Sequence, residues 1–93
     1  MHFVELDVTP GDEDHLVADY RTRFEPAISA QPGFRAVRLL RPAEGVRWLL
    51  LIDFESDEER LAWVATPLHQ EVWPALARSC SGAAGNDFED VGR

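Results

Sequence analysis

The chain has a single cysteine, Cys80, so no intrachain disulfide can form and a disulfide-stapled scaffold is excluded. It has no lysine: nine arginines stand against seventeen acidic residues, for a formal net charge of -8. That balance repels phosphate backbones and anionic lipid headgroups, so neither nucleic acid nor a membrane is an expected partner. No apolar run approaches the roughly 20 residues a membrane-spanning helix needs. The opening residues, MHFVELDV, lack the basic and long apolar regions of a secretory signal, and the cytoplasm is the expected compartment. Glycine-rich phosphate loops, nucleophile elbows, C-x-x-C and H-E-x-x-H are all missing, which leaves nucleotide cofactors and covalent catalysis without support. His2 and His15 have no second ligand at zinc-site spacing, and the DEDH run at 12–15 reads as acidic charge favouring a helix N-terminus; no metal and no cofactor are expected.

What the chain does have is 45% hydrophobic residues and three tryptophans, too rich for a disordered segment. Residues 1–93 form one domain, and a chain of this length buries only about 60 to 65% of the surface its unfolded form exposes. Its core is thin, and help from a partner is expected.

Residues 2–8 alternate, with Val4, Leu6 and Val8 on one face, and predict a strand. Leu16, Tyr20, Phe24 and Ile28 recur every fourth residue and predict a helix from Asp12 to Ala30, bent at Pro26, which cannot donate to the carbonyl of Thr22. FRAVRLLR predicts a second strand, with Phe34, Ala36, Arg38 and Leu40 on one face. PAEG is a hairpin-like turn, and VRWLLLIDF is a third strand. Trp48 to Ile52 are apolar without alternation, so both faces of this strand need cover, and one layer of helices covers one face. Ser56 and Glu59 make a capping box that starts a helix with core stripe Leu61, Val64, Ala65 and Leu68. Thr66 before Pro67 starts it afresh, Leu68, Val72 and Leu76 share a face, and Pro74 predicts a second bend. SGAAGN reads as a loop and DFEDV as a final strand. The order β-α-β-β-α-β is an α+β, ferredoxin-like arrangement with an antiparallel sheet. Its uncovered face calls for a homodimer, two sheets packing across a twofold axis into a dimeric α/β barrel.

QPGFRAVRLLR, followed by WLLLIDFESDEERLAWVATPLHQEVWPAL, resembles the antibiotic biosynthesis monooxygenase (ABM) family. Its members show P-G-F before the second strand, an aromatic-acid-Ser step after the third, a helix containing tryptophan, and S/T-P-x-H. The resemblance covers essentially the whole chain and implies a homodimer with one cavity per subunit between sheet and helices. Some relatives oxidise quinols or anthrone-like polyketide intermediates with O2 and no cofactor; others bind and break haem; others have no known activity. The haem-degrading branch uses an asparagine on the first strand, a tryptophan on the second helix and a haem-ligating histidine ten residues later. Here Trp63 matches, but the histidine position is Trp73 and the asparagine position is about Val4. An indole does not ligate iron, so these residues oppose haem degradation.

Five side chains are candidates for a site. His69 carries an imidazole suited to abstracting a proton from a phenol or an activated CH, or it serves polar groups at the helix start. Trp63 falls roughly opposite the Leu61–Leu68 stripe, and either packs elsewhere or lines a cavity as a stacking wall. Trp73, beside Pro74, packs in the core or closes the end of that cavity. Arg38, a guanidinium in an apolar strand, either pairs with Asp53, Glu5 or Asp7 or stabilises an anion. Tyr20 lies on the core stripe of its helix, with a hydroxyl able to reach inward. Together with the resemblance they imply a cofactor-independent monooxygenase or oxidase for a quinol, anthrone or similar electron-rich aromatic molecule, with His69 as base, Trp63 and Trp73 as walls, and Arg38 or Tyr20 as hydrogen-bond donor. The alternative is a non-catalytic dimeric binding or accessory domain whose own side chains fill the cavity.

Overall fold

A computed structural model describes residues 1–89, 91 and 92. The strands are β1 (His2–Val8), β2 (Phe34–Leu40), β3 (Arg47–Phe54) and β4 (Cys80–Asp87), in the order β2-β3-β1-β4 with every neighbouring pair antiparallel. The helices are α1 (Glu13–Asp19), α2 (Glu25–Ser29), α3 (Asp57–Val64) and α4 (Pro67–Ala77). This is the ferredoxin-like α+β fold. Its extents of 35 × 35 × 18 Å are those of a two-layer slab, helices on one face of the sheet.

Strand parity divides the two faces. Val4, Leu6 and Val8 of β1 and Trp48, Leu50, Ile52 and Phe54 of β3 are buried under the helices, where they meet Leu16, Phe24, Ile28 and Leu76. Full burial of each such side chain contributes about 1.5–3 kcal/mol. On the other face Phe3, Leu49 and Leu51 are half-buried beside the Arg35–Asp53 and Arg47–Asp7 pairs, at 3.7 and 3.2 Å.

Four features depart from the sequence expectations. The bend at Pro26 takes the form of a π-helical segment, Tyr20–Phe24, that joins α1 to α2. The Glu25 N–H donates to the Tyr20 carbonyl five residues back, so the ladder widens one residue before the ring that has no N–H to give. In β2 the register shifts between Phe34 and Ala36: Phe34 pairs with Phe54, Ala36 with Asp53 and Val37 with Ile52. This bulge puts Phe34 on the core face with Val37 and Leu39, apart from Ala36, Arg38 and Leu40.

The α3 stripe is the third. Leu61, Ala65 and Leu68 are exposed, whereas Trp63 is 2% exposed and is the buried residue of that helix. The chain turns at Ala65 and Thr66, so residues on either side of the break share no helical face and the spacing Leu61–Leu68 has no meaning across it. Fourth, SGAAGN is strand: β4 pairs with β1 from Val8↔Cys80 to His2↔Asp87. Of DFEDV, Asp87 is the last strand residue, Phe88 and Glu89 lie beyond it, and Asp90 lies outside the described residues. Backbone pairing with β1, extended by Phe88 N–H donating to the Met1 carbonyl at 2.8 Å, overrides the low strand propensity of glycine and alanine.

Trp63→Ala is expected to destabilise the domain by about 3–5 kcal/mol and Leu61→Ala by less than about 0.5 kcal/mol, read as urea midpoints at unchanged m-value. The reverse order would restore the Leu61 stripe.

Candidate functional site

The break between α3 and α4 is held by one hydroxyl. Thr66 Oγ1 donates to the Trp63 carbonyl at 2.7 Å and accepts from the His69 N–H at 3.1 Å, so a single side chain ends one helix and caps the next. Gln70 Nε2 adds a bond to the Val64 carbonyl at 3.0 Å. At the other end of α3, Ser56 accepts from the Glu59 N–H at 3.2 Å and donates to its carboxylate at 3.0 Å. Glu59 also sits where a side chain on Gly33 would fall: that glycine has φ +77, and an added Cβ would meet the carboxylate at 2.2 Å. The P-G-F turn and the start of α3 are thereby locked together.

These constraints bring Trp63, His69 and Trp73 into contact. The His69 ring meets Trp63 edge-on, centroids 5.1 Å apart at 82°, and lies parallel to Trp73 at 6.3 Å and 17°. Phe24 packs on both indoles, at 6.2 and 6.4 Å, and Tyr20 stacks on Phe24 at 6.2 Å. It is the His69 backbone N–H that serves the helix start, which leaves the imidazole free of capping; its Nδ1 has a long 3.5 Å contact with Gln70.

Trp63, His69 and Trp73, with Phe24 and Val64, line a cavity of about 80 Å³ against the sheet, which supplies Val4 and Ile52. A second cleft of about 190 Å³ shares the His2, Ile52 and Arg60 walls and opens toward Glu55 and Asp57. The inner void alone is smaller than the roughly 150 Å³ apolar cavity that accommodates benzene. An aromatic ring therefore needs more room than the inner void provides, and the adjoining cleft shares three of its wall residues.

The other two candidates lie elsewhere. Arg38 is exposed on the far face of the sheet, paired in register with Leu51, and the sheet separates it from His69. The partners anticipated for it are taken: Asp53 pairs with Arg35, and Glu5 and Asp7 pair with Arg47. Tyr20 is buried beside this pocket but lines a different cavity with Val17, Leu39 and Trp48. Burial, then the charge and hydrogen bond of Glu25, push its pKa up to about 12, so it stays a neutral phenol.

Three residues of the rim were not singled out for this site from sequence. His2 lines both cavities, and its Nδ1 is 2.7 Å from Asp87 Oδ1. Arg60 stands one turn before Trp63, its side chain 14% exposed, 3.5 Å from Asp87 and 3.8 Å from Asp57. Its Nε is buried without a hydrogen-bond partner among the described residues. The parity that puts Val4 and Leu6 inward also puts His2 there, and that signal was available; the pairing of residue 2 with residue 87 was not.

Burial lowers the His69 pKa, so the unfolded chain binds this proton more readily than the folded protein. Its contribution to stability is complete above the ordinary value of about 6.5 and shrinks as pH falls below it. In His69→Gln, urea midpoints are expected to fall less between about pH 7 and about pH 5 than in the wild type.

Solved structures share this architecture. SnoaB, a cofactor-independent oxygenase from Streptomyces nogalater, superposes with a TM-score of 0.83 at 19% identity over 99% of this chain and 93% of its own. A conserved protein from Methanosarcina mazei Go1 gives 0.80 at 10% identity, over 91% and 85% of the two chains. An MhuD variant with two manganese protoporphyrin IX molecules per active site gives 0.74 at 25% identity, over 99% and 94%. No curated protein matches the sequence. A porphyrin does not fit the pocket described above, which is too small for one aromatic ring without its cleft and whose histidine is enclosed between two indoles. The model of the antibiotic biosynthesis monooxygenases matches residues 1–74, a span that holds all nine residues of the inner cavity, and the chain belongs to that family.

Proposed function

We propose that this protein is a homodimeric, cofactor-independent monooxygenase that uses O2 to oxidise an electron-rich aromatic hydroxyl compound, quinol- or anthrone-like. The observation that carries the reading is the imidazole of His69, kept neutral by burial and placed between two indoles on the wall of a pocket under the helices. Membership of the family and the shared fold of SnoaB support it.

In such a reaction the substrate supplies the electrons and the protein supplies a base, charge and a dry site. His69 takes the hydroxyl proton, and the electron pair of the O–H bond stays on oxygen as phenolate. The phenolate ring delivers electrons to O2 and forms a peroxide at a ring carbon that bears hydrogen. That hydrogen leaves as a proton while the O–O bond breaks, so C–H becomes C=O, and the second oxygen takes this proton and the one held by His69 and departs as water. Trp63 and Trp73 hold the ring by stacking. Arg60 is the cation within reach of the oxyanion, in place of Arg38 on the other side of the sheet. The rival reading, a binding domain with a self-filled cavity, accounts for the small inner void; the adjoining cleft, which shares three wall residues with it, favours the ligand site.

Oxygen uptake with a panel of quinols and anthrones tests the reaction. One member of the panel is expected to be consumed with matching O2, and His69→Ala is expected to lower kcat/KM by about 10²–10⁴. Equal rates for the two proteins would take His69 out of the chemistry.

The homodimer forms through the open sheet face, where Leu49, Leu51 and Phe3 present apolar surface that the helices do not reach. Light scattering at micromolar concentration is expected to give twice the chain mass, and Leu49→Asp with Leu51→Asp the mass of one chain. A monomeric wild type would remove this interface.

A further inference from the structure

We propose that His2, held by Asp87, is a second proton-accepting group of the pocket, facing a ligand hydroxyl from the sheet side while His69 faces it from α4. The proposal rests on the reading of the pocket as a ligand site.

The two nitrogens of His2 have separate environments. Nδ1 lies 2.7 Å from Asp87 Oδ1, and Asp87 is largely exposed at the rim. Hydrogen bonding to His2, then the charges of Arg60, of a protonated His2 and of the N-terminal amine, hold the Asp87 carboxyl below its ordinary pKa, so it is ionised and can only accept. Nδ1 must therefore donate, and in the uncharged form of the ring the lone pair lies on Nε2. Nε2 lies over Gly85, the partner of Val4 in the β1–β4 ladder, and the His2 side chain lines both cavities. A Cβ on Gly85 would come within 2.8 Å of it; the strand carries no side chain where this ring rests. Nε2 receives no hydrogen bond from the described residues.

The surroundings suit a proton acceptor. Asp87 on β4, Arg60 and Asp57 on α3, Glu55 ahead of α3, the N-terminal amine and His69 are the titratable and charged groups around the two cavities. A ligand hydroxyl donates to Nε2; when its proton crosses, the O–H electron pair remains on the ligand oxygen, Arg60 faces that anion, and Asp87 offsets the imidazolium. Asp87 is a positioning residue, because it sets the tautomer without touching the ligand.

The test needs no turnover. Anaerobic tryptophan-fluorescence titrations compare hydroquinone with para-methoxyphenol, which keeps one hydroxyl, while nitrogen-15 spectra of histidine-labelled protein report the His2 tautomer. The wild type is expected to bind hydroquinone about five- to tenfold more tightly, as one further hydrogen bond predicts, and to show His2 protonated on Nδ1. His2→Phe is expected to lose that preference and keep its affinity for para-methoxyphenol. Asp87→Asn, a rim change, is expected to move the His2 proton to Nε2. Equal affinities in the wild type, a preference that survives His2→Phe, or a wild-type ring protonated on Nε2 would each overturn the proposal. A protein that passes these tests yet consumes no O2 would refute the oxygenation and leave the second acceptor standing.

Discussion

The register of β1 against β3 carries the rest of the molecule. With Leu6 opposite Trp48, Val4 opposite Leu50 and His2 opposite Ile52, every even-numbered side chain of both central strands turns toward the helices. A slip of one residue would send Leu6 and Leu50 to the open face and bring Glu5 and Leu49 under α1 and α4. The cost of burying that carboxylate, added to the loss of several core side chains, exceeds what a marginally stable domain can tolerate. The same parity makes the sheet wall of the pocket, since His2, Val4 and Ile52 all belong to it. Core and site are thus not separate designs: the alternation that buries the apolar residues also delivers a histidine to the pocket.

Against this fixed sheet the helical layer is assembled from pieces. A long uninterrupted helix would carry Trp63 and His69, six residues apart, to faces about 120° apart. The Thr66 joint lets two short helices meet at an angle, with both rings turned into one space. The π-helical turn does comparable service on the first helix, where the missing N–H of Pro26 is accommodated while Tyr20 and Phe24 stay stacked. Irregular backbone is concentrated where aromatic side chains converge.

Much of this was legible in the sequence because it is written in local patterns. Alternation from Val4 to Val8, the four-residue spacing of Leu16 to Ile28, the Ser56–Glu59 box and the Thr66–Pro67 start each depend on neighbours a few positions apart, and each reappears in the structure. What was not legible depends on partners far along the chain. The stripe through Leu61 and Leu68 assumed one helical phase across a break that resets it. The strand in SGAAGN has almost no side-chain signal, because its stability comes from the β1 backbone it pairs with. Arg38 looked like an inward charge until the bulge near Ala36 settled which way each residue of β2 points. The Trp63, His69 and Trp73 grouping followed from spacing within 11 residues of one another and from family likeness, whereas His2 needed both a parity and a pairing.

The His2–Asp87 contact joins residues separated by 85 positions in the chain. Closing so long a loop carries an entropy cost that the contact cannot meet alone; the β1–β4 ladder must already be in place. Contacts this non-local are late and slow to form relative to the helical turns. The pocket is therefore finished by the joining of the first strand to the last. A fragment that lacked the last strand would lack the rim, and one that lacked β1 would also lose Val4, Leu6 and Val8, the core against which the helices are ordered.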